Sequence, residues 1–231
     1  MASPRPLKLL SSMATREVLS ELAQQFERTA AQPVNAEAAG GVDVAKRVQA
    51  GEPFDVVVLA SNVIEKLIGE GKLLPASRVD LVKSGVAVAV RTGAACPDIS
   101  TEEAVKRAVV AAESVSYSTG PSGVHLESVF ARWGILERIR AHIVVPRPGV
   151  PVASLVASGA AALGFQQLSE LMNVPGVTVV GPLPPALQIV TTFSGGICAR
   201  CAEPQAARAL LDYLASPQAL EVKRRHGMDA A

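Results

Sequence analysis

At 231 residues the chain is long enough for one large domain or for two lobes that each bury a core. With 49% hydrophobic residues, 19% charged and a formal net charge of +1, it has neither the basic stripe of a nucleic-acid binder nor an acidic tail. An aromatic content of 3% leaves no platform for stacking bases or sugars, and no apolar run reaches the ~20 residues of a membrane helix.

The opening Met1-Ala-Ser-Pro-Arg-Pro leads into a short apolar strand, Leu7 to Leu10, rather than into the apolar stretch of a secretory leader. As written the chain reads as cytoplasmic; as an exported protein that has lost its leader it reads as periplasmic. Helical spacing over Thr15 to Ala31 puts Val18, Leu19, Leu22 and Phe26 on one face. Pro33 to Glu37 reads as a strand, Ala38 to Val42 as a glycine-containing turn, and Val44 to Ala50 as a helix stopped at Gly51. Asp55 to Ala60 is wholly apolar after its first residue, as in a strand buried inside a parallel sheet, and Ser61-Asn62 begins a helix that runs to about Glu70.

Two long strands stand out, Ser84 to Arg91 and Leu187 to Ala199. Between them lie the strand Ser114 to Tyr117, the helix Val124 to Trp133, the strand Ala141 to Val145, the helix Val150 to Ser158, the strand Ala162 to Phe165, and Leu168 to Met172. Helices over Pro204 to Ala215 and Pro217 to His226 close the chain. Strand–helix alternation predicts an α/β fold. A middle segment entered and left through two paired strands predicts two lobes joined by crossing strands. Residues 1–82 with 195–231 form one and residues 83–194 the other, with a ligand cleft between them at the carboxyl ends of the strands.

The most informative segment is Ser118-Thr119-Gly120-Pro121-Ser122-Gly123, at a strand-to-helix junction. Its glycines let the backbone approach closely, its hydroxyls donate, and the unpaired N–H groups at the positive end of the helix dipole face whatever docks there. An ordinary capped turn would look the same in isolation. Cys198-Ala-Arg-Cys201 has redox spacing but ends an extended run, where residues three apart diverge, and no second Cys/His pair stands at metal spacing. Neither a metal nor a cofactor is called for.

The chain resembles the type II periplasmic-binding-protein family, and within it the molybdate-binding-like substrate-binding proteins, from Leu7 to Gly227. The resemblance rests on Leu10-Ser-Ser-Met-Ala-Thr15, Ala45-Lys-Arg-Val-Gln-Ala-Gly-Glu-Pro-Phe-Asp-Val-Val-Val, Val88-Ala-Val-Arg-Thr-Gly with Pro97-Asp-Ile-Ser-Thr, and Tyr117-Ser-Thr-Gly-Pro-Ser-Gly. Ala162-Leu-Gly-Phe-Gln-Gln, Gly181-Pro-Leu-Pro and Ala209-Leu-Leu-Asp-Tyr-Leu-Ala-Ser-Pro-Gln-Ala complete it. It implies a small anion held by hydroxyls and main-chain amides of Ser11, Ser12, Gly40, Gly41, Thr119, Ser122 and Gly123. The sequence departs from the molybdate binders where Gly40-Gly41 replaces serines and Gln166-Gln167 replaces a tyrosine, both of which suit a carboxylate better than molybdate.

Six further residues are read directly. Arg147, between two prolines, is either a carboxylate clamp or a surface arginine. Thr192, with Ser194 on the same face of a crossing strand, faces either the cleft floor or a polar sheet face. His125 leads Glu37 and Asp43 as a proton-transfer group, although Asp43 is equally a helix N-cap. Two functions follow. One is a substrate-binding or sensing protein for a di- or tricarboxylate, partnered by an ABC transporter permease if exported. The other is an enzyme, since the resemblance extends to aconitate isomerases, which shift a proton across an allylic tricarboxylate.

Overall fold

The computed structural model describes residues 4–147 and 149–231. The strands are β1 (Leu7–Ser12), β2 (Val34–Ala39), β3 (Val56–Ala60), β4 (Val79–Arg91), β5 (Val115–Tyr117), β6 (Leu163–Gln167), β7 (Val177–Pro182), β8 (Val190–Ile197) and β9 (Asp229–Ala230). The helices are α1 (Arg16–Ala30), α2 (Gly41–Gln49), α3 (Ser61–Gly69), α4 (Glu102–Ala111), α5 (Pro121–Arg132), α6 (Leu136–Ile139), α7 (Val152–Ser158), α8 (Leu168–Leu171), α9 (Pro204–Ala215) and α10 (Leu220–Arg225). They form two compact units, Met1–Ser84 with Thr191–Ala231, and Gly85–Val190.

In the first unit β1 pairs in parallel with both β2 and β3, and β3 pairs antiparallel with β8. Alternation along β1 divides the core. Leu7 and Leu9 join Val18, Leu22 and Phe26 of α1 and Leu210, Leu211 and Leu214 of α9, while Leu10 joins Val44, Val48, Ile64 and Leu67 of α2 and α3. Buried on both faces, β3 can be apolar throughout. Gly195 lets α9 pack closely, since a Cβ there would lie 2.3 Å from the Leu211 side chain.

In the second unit β4 pairs antiparallel with β6 on one side and β7 on the other, and β5 runs parallel to β6. Val86, Val88 and Val90 face α4 and α5, and Ala87 and Ala89 pack with Ala153 of α7 and Leu171. Gly164 admits α7 in the same way, since its Cβ would lie 2.5 Å from the Val156 side chain.

Several elements differ from the sequence expectation. The strand expected over Ala141 to Val145 is a single 3-10 turn, Arg140–His142, with one isolated bridge from Ile143 to Val115. Its neighbour β5 is only three residues long, and Pro146 ends the ladder by offering no N–H. The helix expected from Val124 starts at Pro121, a residue whose missing N–H costs nothing in a first helical turn. The long strand expected from Leu187 to Ala199 narrows to β8, and α2 starts at Gly41 inside the expected turn. Helix α4 and strand β7 had no counterpart in the expectation, although Thr101 caps α4 by accepting from the Ala104 N–H at 3.1 Å.

Candidate functional site

In the first unit three neighbouring parallel strands each end in a helix start that no side chain caps. Strand β1 hands over at Ser12 to a 3-10 turn and α1, β2 at Gly40 to α2, and β3 at Ala60 to α3. Sheet order β2-β1-β3 places these starts side by side, so free N–H groups and three positive dipole ends share one edge. Ser11 and Ser12 are buried there, 3% and 7% exposed. The Ser11 hydroxyl reaches only long contacts, to the Ser12 and Glu37 carbonyls at 3.3 and 3.4 Å. The Thr15 hydroxyl donates to the Ser12 carbonyl at 3.1 Å, which fixes the turn, and lies 3.4 Å from the Ser12 hydroxyl. The sequence marks Ser61-Asn62 as a helix cap, whereas the cap position is Ala60, with no side-chain bond; the parallel strand β3 before it is the signal that this start belongs to the donor edge.

Gly40 has ordinary backbone angles, φ −56° and ψ 137°. A Cβ there would stand 3.3 Å from the Asp43 carboxylate, and one at Gly41 would stand 3.8 Å from Leu59. Neither glycine is demanded by the fold. Their effect is to leave amides without a hydroxyl beside them.

The second unit presents the Ser118–Gly123 loop. The Gly120 N–H donates to the Ser118 hydroxyl at 2.9 Å, and Gly120 caps α5 through its backbone, whose carbonyl accepts from Gly123 and Val124. Gly123 is required: a Cβ there would lie 1.5 Å from the Ser118 carbonyl oxygen. Ser122 is 5% exposed and its hydroxyl has no hydrogen-bond partner among the described residues, whereas Thr119 is exposed.

Beside this loop lies a cavity of about 320 Å³. Tyr117, Thr119 and Gly123 line it from the loop side, Val124 and Glu127 from α5, and Arg140 with Ile143 and Val145 from the segment after α6. Arg140 bonds to Glu137 at 2.5 and 3.0 Å, and this bond is the largest influence holding its guanidinium charged, with Glu127 and Tyr117 contributing more weakly. Burial pushes the Tyr117 phenol above its ordinary range, reinforced by Glu127, so it is a neutral hydrogen-bond donor near pH 7. No sequence motif marked Glu127 or Arg140.

The remaining candidates fall in different places. Gln166 is occupied within its own unit: its carbonyl accepts from the Ala153 N–H at 3.1 Å, in the first turn of α7, and its amide donates to Glu170 at 2.6 Å. Gln167 is buried at the end of β6. Arg147 is exposed, with no ion pair among the described residues, and neighbouring Pro148 lies outside them. Thr192 is half-buried, while Ser194, 0% exposed, donates to Asp80 at 2.6 Å and so takes the polar-sheet role.

His125 is exposed on α5 and does not line the cavity. Glu37 pairs with Arg47 at 3.1 Å, and Asp43 stands exposed in the first turn of α2. Cys198 and Cys201 do not diverge along a strand, because β8 ends at Ile197 and the Cys201 N–H closes a turn on the Cys198 carbonyl at 2.9 Å. Burial pushes both thiols up, to about 12 and about 11, which removes the thiolate that redox chemistry needs. Among the described residues no group of three His, Cys, Asp or Glu side chains could hold a metal, and no helix is long and apolar enough to cross a membrane.

The model of the bacterial extracellular solute-binding protein family matches residues 7–229, and the chain belongs to that family. It is 38% identical over 228 residues to an aconitate isomerase from Pseudomonas sp., covering 96% of this chain and 87% of that one. It is 28% identical over 219 residues to the molybdate-binding protein ModA of Azotobacter vinelandii, covering 90% and 84%. The solved periplasmic molybdate-binding protein of Azotobacter vinelandii superposes with a TM-score of 0.80 at 24% identity, over 96% of this chain and 98% of that one. The mixed α/β architecture is therefore the two-lobed periplasmic-binding-protein fold.

Proposed function

We propose that this chain binds a small tricarboxylate of the aconitate class and interconverts the cis and trans isomers by an allylic proton shift. The observation that carries this reading is the composition of the donor edges. Beside the hydroxyl-bearing starts at Ser11-Ser12, Ser61 and Ser122, they offer at Gly40 and Gly41 main-chain amides with no hydroxyl next to them, where a tight oxyanion site would add one more hydroxyl. They are also rimmed by apolar side chains: Val42, Val124 and Val145 are 57%, 65% and 67% exposed, beside α2, α5 and the cavity. Amides take carboxylate groups and valines take a carbon skeleton, whereas molybdate and sulfate have no carbon to cover. The 38% identity to an aconitate isomerase across nearly the whole chain supports the choice of acid.

Calorimetry with trans-aconitate, cis-aconitate, citrate, molybdate and sulfate tests the ligand, and proton NMR of trans-aconitate in heavy water tests the turnover. Carboxylates bind and the inorganic oxyanions do not. Tight molybdate binding without carboxylate binding would overturn the ligand. Binding without conversion would leave the second reading, a solute-binding protein that delivers or senses the acid. That reading is favoured by the family's extracellular solute-binding description, and with it come an exported location and a transporter partner.

A further inference from the structure

We propose that Glu127 carries the proton in this isomerisation, acting in the cavity beside α5 with Arg140 as counter-charge and Tyr117 as donor; this rests on the isomerase reading above. Proton abstraction next to a carboxylate needs a base within reach of the carbon and donors for the developing charge. Glu127 is the carboxylate that lines the cavity. It sits four residues after Gly123, so the two share one face of α5, and the side chain lies one turn along from the loop amides.

The alternatives are placed for other work. The Glu37 carboxylate is held by Arg47, which bridges it to Glu52. Asp43 stands exposed in the first turn of α2, in the other unit from the cavity. His125 is next to the cavity in sequence but off its lining.

The surroundings of Glu127 suit the chemistry. Arg140, on the segment after α6, and Tyr117, at the end of β5, both line the same space, and each interacts electrostatically with Glu127. Glu137 takes Nε and Nη2 of Arg140, so the guanidinium offers a substrate carboxylate its positive charge and the remaining Nη1 donors, and the neutral phenol donates a further hydrogen bond. In trans-aconitate the methylene C–H bond breaks and its proton passes to Glu127. The released pair becomes the new double bond to the central carbon. The old double-bond pair moves to the former vinyl carbon, which takes the proton back from Glu127. No atom is gained or lost. The negative charge that passes over the conjugated carboxylate meets Arg140 and the amides of the loop.

The test is the same proton NMR experiment in heavy water, run with the full chain and two variants. Wild type converts trans-aconitate and incorporates deuterium. Glu127→Gln keeps calorimetric affinity for trans-aconitate within about threefold and loses conversion and exchange by at least about 100-fold, the range for a removed general base. Glu127→Asp restores part of the rate. Conversion at the wild-type rate in Glu127→Gln would overturn the assignment and leave the isomerase reading standing. Loss of binding together with conversion in Glu127→Gln would also overturn it, making Glu127 a positioning group. Wild type that binds without converting fails the isomerase reading itself, before any variant is measured.

Discussion

Gly123→Ala tests whether the α5 loop is a binding element held in one shape by a single steric requirement. The added methyl would stand 1.5 Å from the Ser118 carbonyl oxygen, 2.6 Å from its carbon and 3.2 Å from the Tyr117 ring. Real contacts to a Cβ essentially never fall below 3.0 Å, so the carbonyl must retreat by 3.0 − 1.5 = 1.5 Å at least. Both obstructing atoms at Ser118 are main chain, so no side-chain rotation relieves the clash, and the strand-to-helix turn itself must open. Overpacking of this kind costs about 1–3 kcal/mol. For a chain of this length that lowers Tm by about 2–4 °C per kcal/mol. Ligand affinity falls further, because charge-assisted hydrogen bonds from the loop amides contribute on the order of 1.5–3 kcal/mol each. Losing one of them is a drop of about 10- to 100-fold. Gly40→Ala is the control, since its Cβ meets only the end of the exposed Asp43 side chain at 3.3 Å. Calorimetry with trans-aconitate and thermal denaturation followed by circular dichroism read both effects. Wild-type affinity and Tm in Gly123→Ala would refute the reasoning.

Gly40→Ser returns a hydroxyl to the α2 start at backbone angles that any residue adopts, so molybdate or sulfate affinity rises in calorimetry while the Tm stays within about 2 °C. Lys223 is 1% exposed with no ion pair among the described residues, and burial lowers its pKa. The unfolded chain therefore holds that proton more readily than the fold does. The penalty is fully present below the lowered folded value and fades as pH rises from there to the ordinary lysine value of about 10.4, so Lys223→Met raises Tm at pH 7 and the gain has shrunk away by about pH 10.4. Glu21 bonds to His226 and Arg225, and the His226 bond is the largest cause of its lowered pKa. Its contribution is present above the ordinary glutamate value near 4.3 and is lost as pH falls through the lower folded value. Glu21→Gln accordingly lowers stability at pH 7 by about 0.5–1 kcal/mol, and the loss fades as pH falls through that lower folded value, read from urea unfolding. Ellman's reagent at pH 8 titrates exposed Cys96 at once, and buried Cys198 and half-buried Cys201 only on unfolding.

What the sequence disclosed follows from how local each signal is. Strand β3 and helix α1 announce themselves because five consecutive apolar residues, or Val18, Leu22 and Phe26 at helical spacing, have one comfortable solution. The α5 loop was legible because two glycines between hydroxyls at a strand end are chemically unusual. The Ala141 to Val145 misreading shows the opposite case: apolar alternation says that a segment can pair, and the three-residue β5 decides that it does not. The Gln166 amide looked available because position predicted a strand end near the ligand, whereas its partners Ala153 and Glu170 depend on how α7 and α8 pack. Glu127 and Arg140 carried no signal at all. They lie 13 residues apart (140 − 127), and only the packing of the segment after α6 against α5 brings them to one cavity.

The chemistry of the first unit's donor edge turns on glycine standing where a serine would supply a hydroxyl. A serine hydroxyl both donates a hydrogen bond and fills space beside the ligand, so a site lined with serines closes tightly on a compact oxyanion. Replacing it by glycine keeps the amide, which is the stronger element at a helix start, and opens about one side chain of volume next to it. At Gly40 and Gly41 that volume is not needed by the backbone, and exposed Val42 stands immediately beside it. At Gly123 the glycine is needed by the backbone, and the room for ligand comes instead from the adjoining cavity with Val124 and Val145 on its walls. Each unit by itself thus sets fixed amides beside apolar surface by its own means, and on the proposed reading the amides take carboxylate groups and the apolar surface covers ligand carbons. Such a surface gains affinity from each buried methylene of ligand, at about 0.8 kcal/mol, which an inorganic oxyanion cannot supply. A ligand series of increasing carbon length at constant carboxylate number, from malonate through succinate to glutarate, therefore gains affinity stepwise until the cavity is filled. A flat series would show that the valines take no part in recognition.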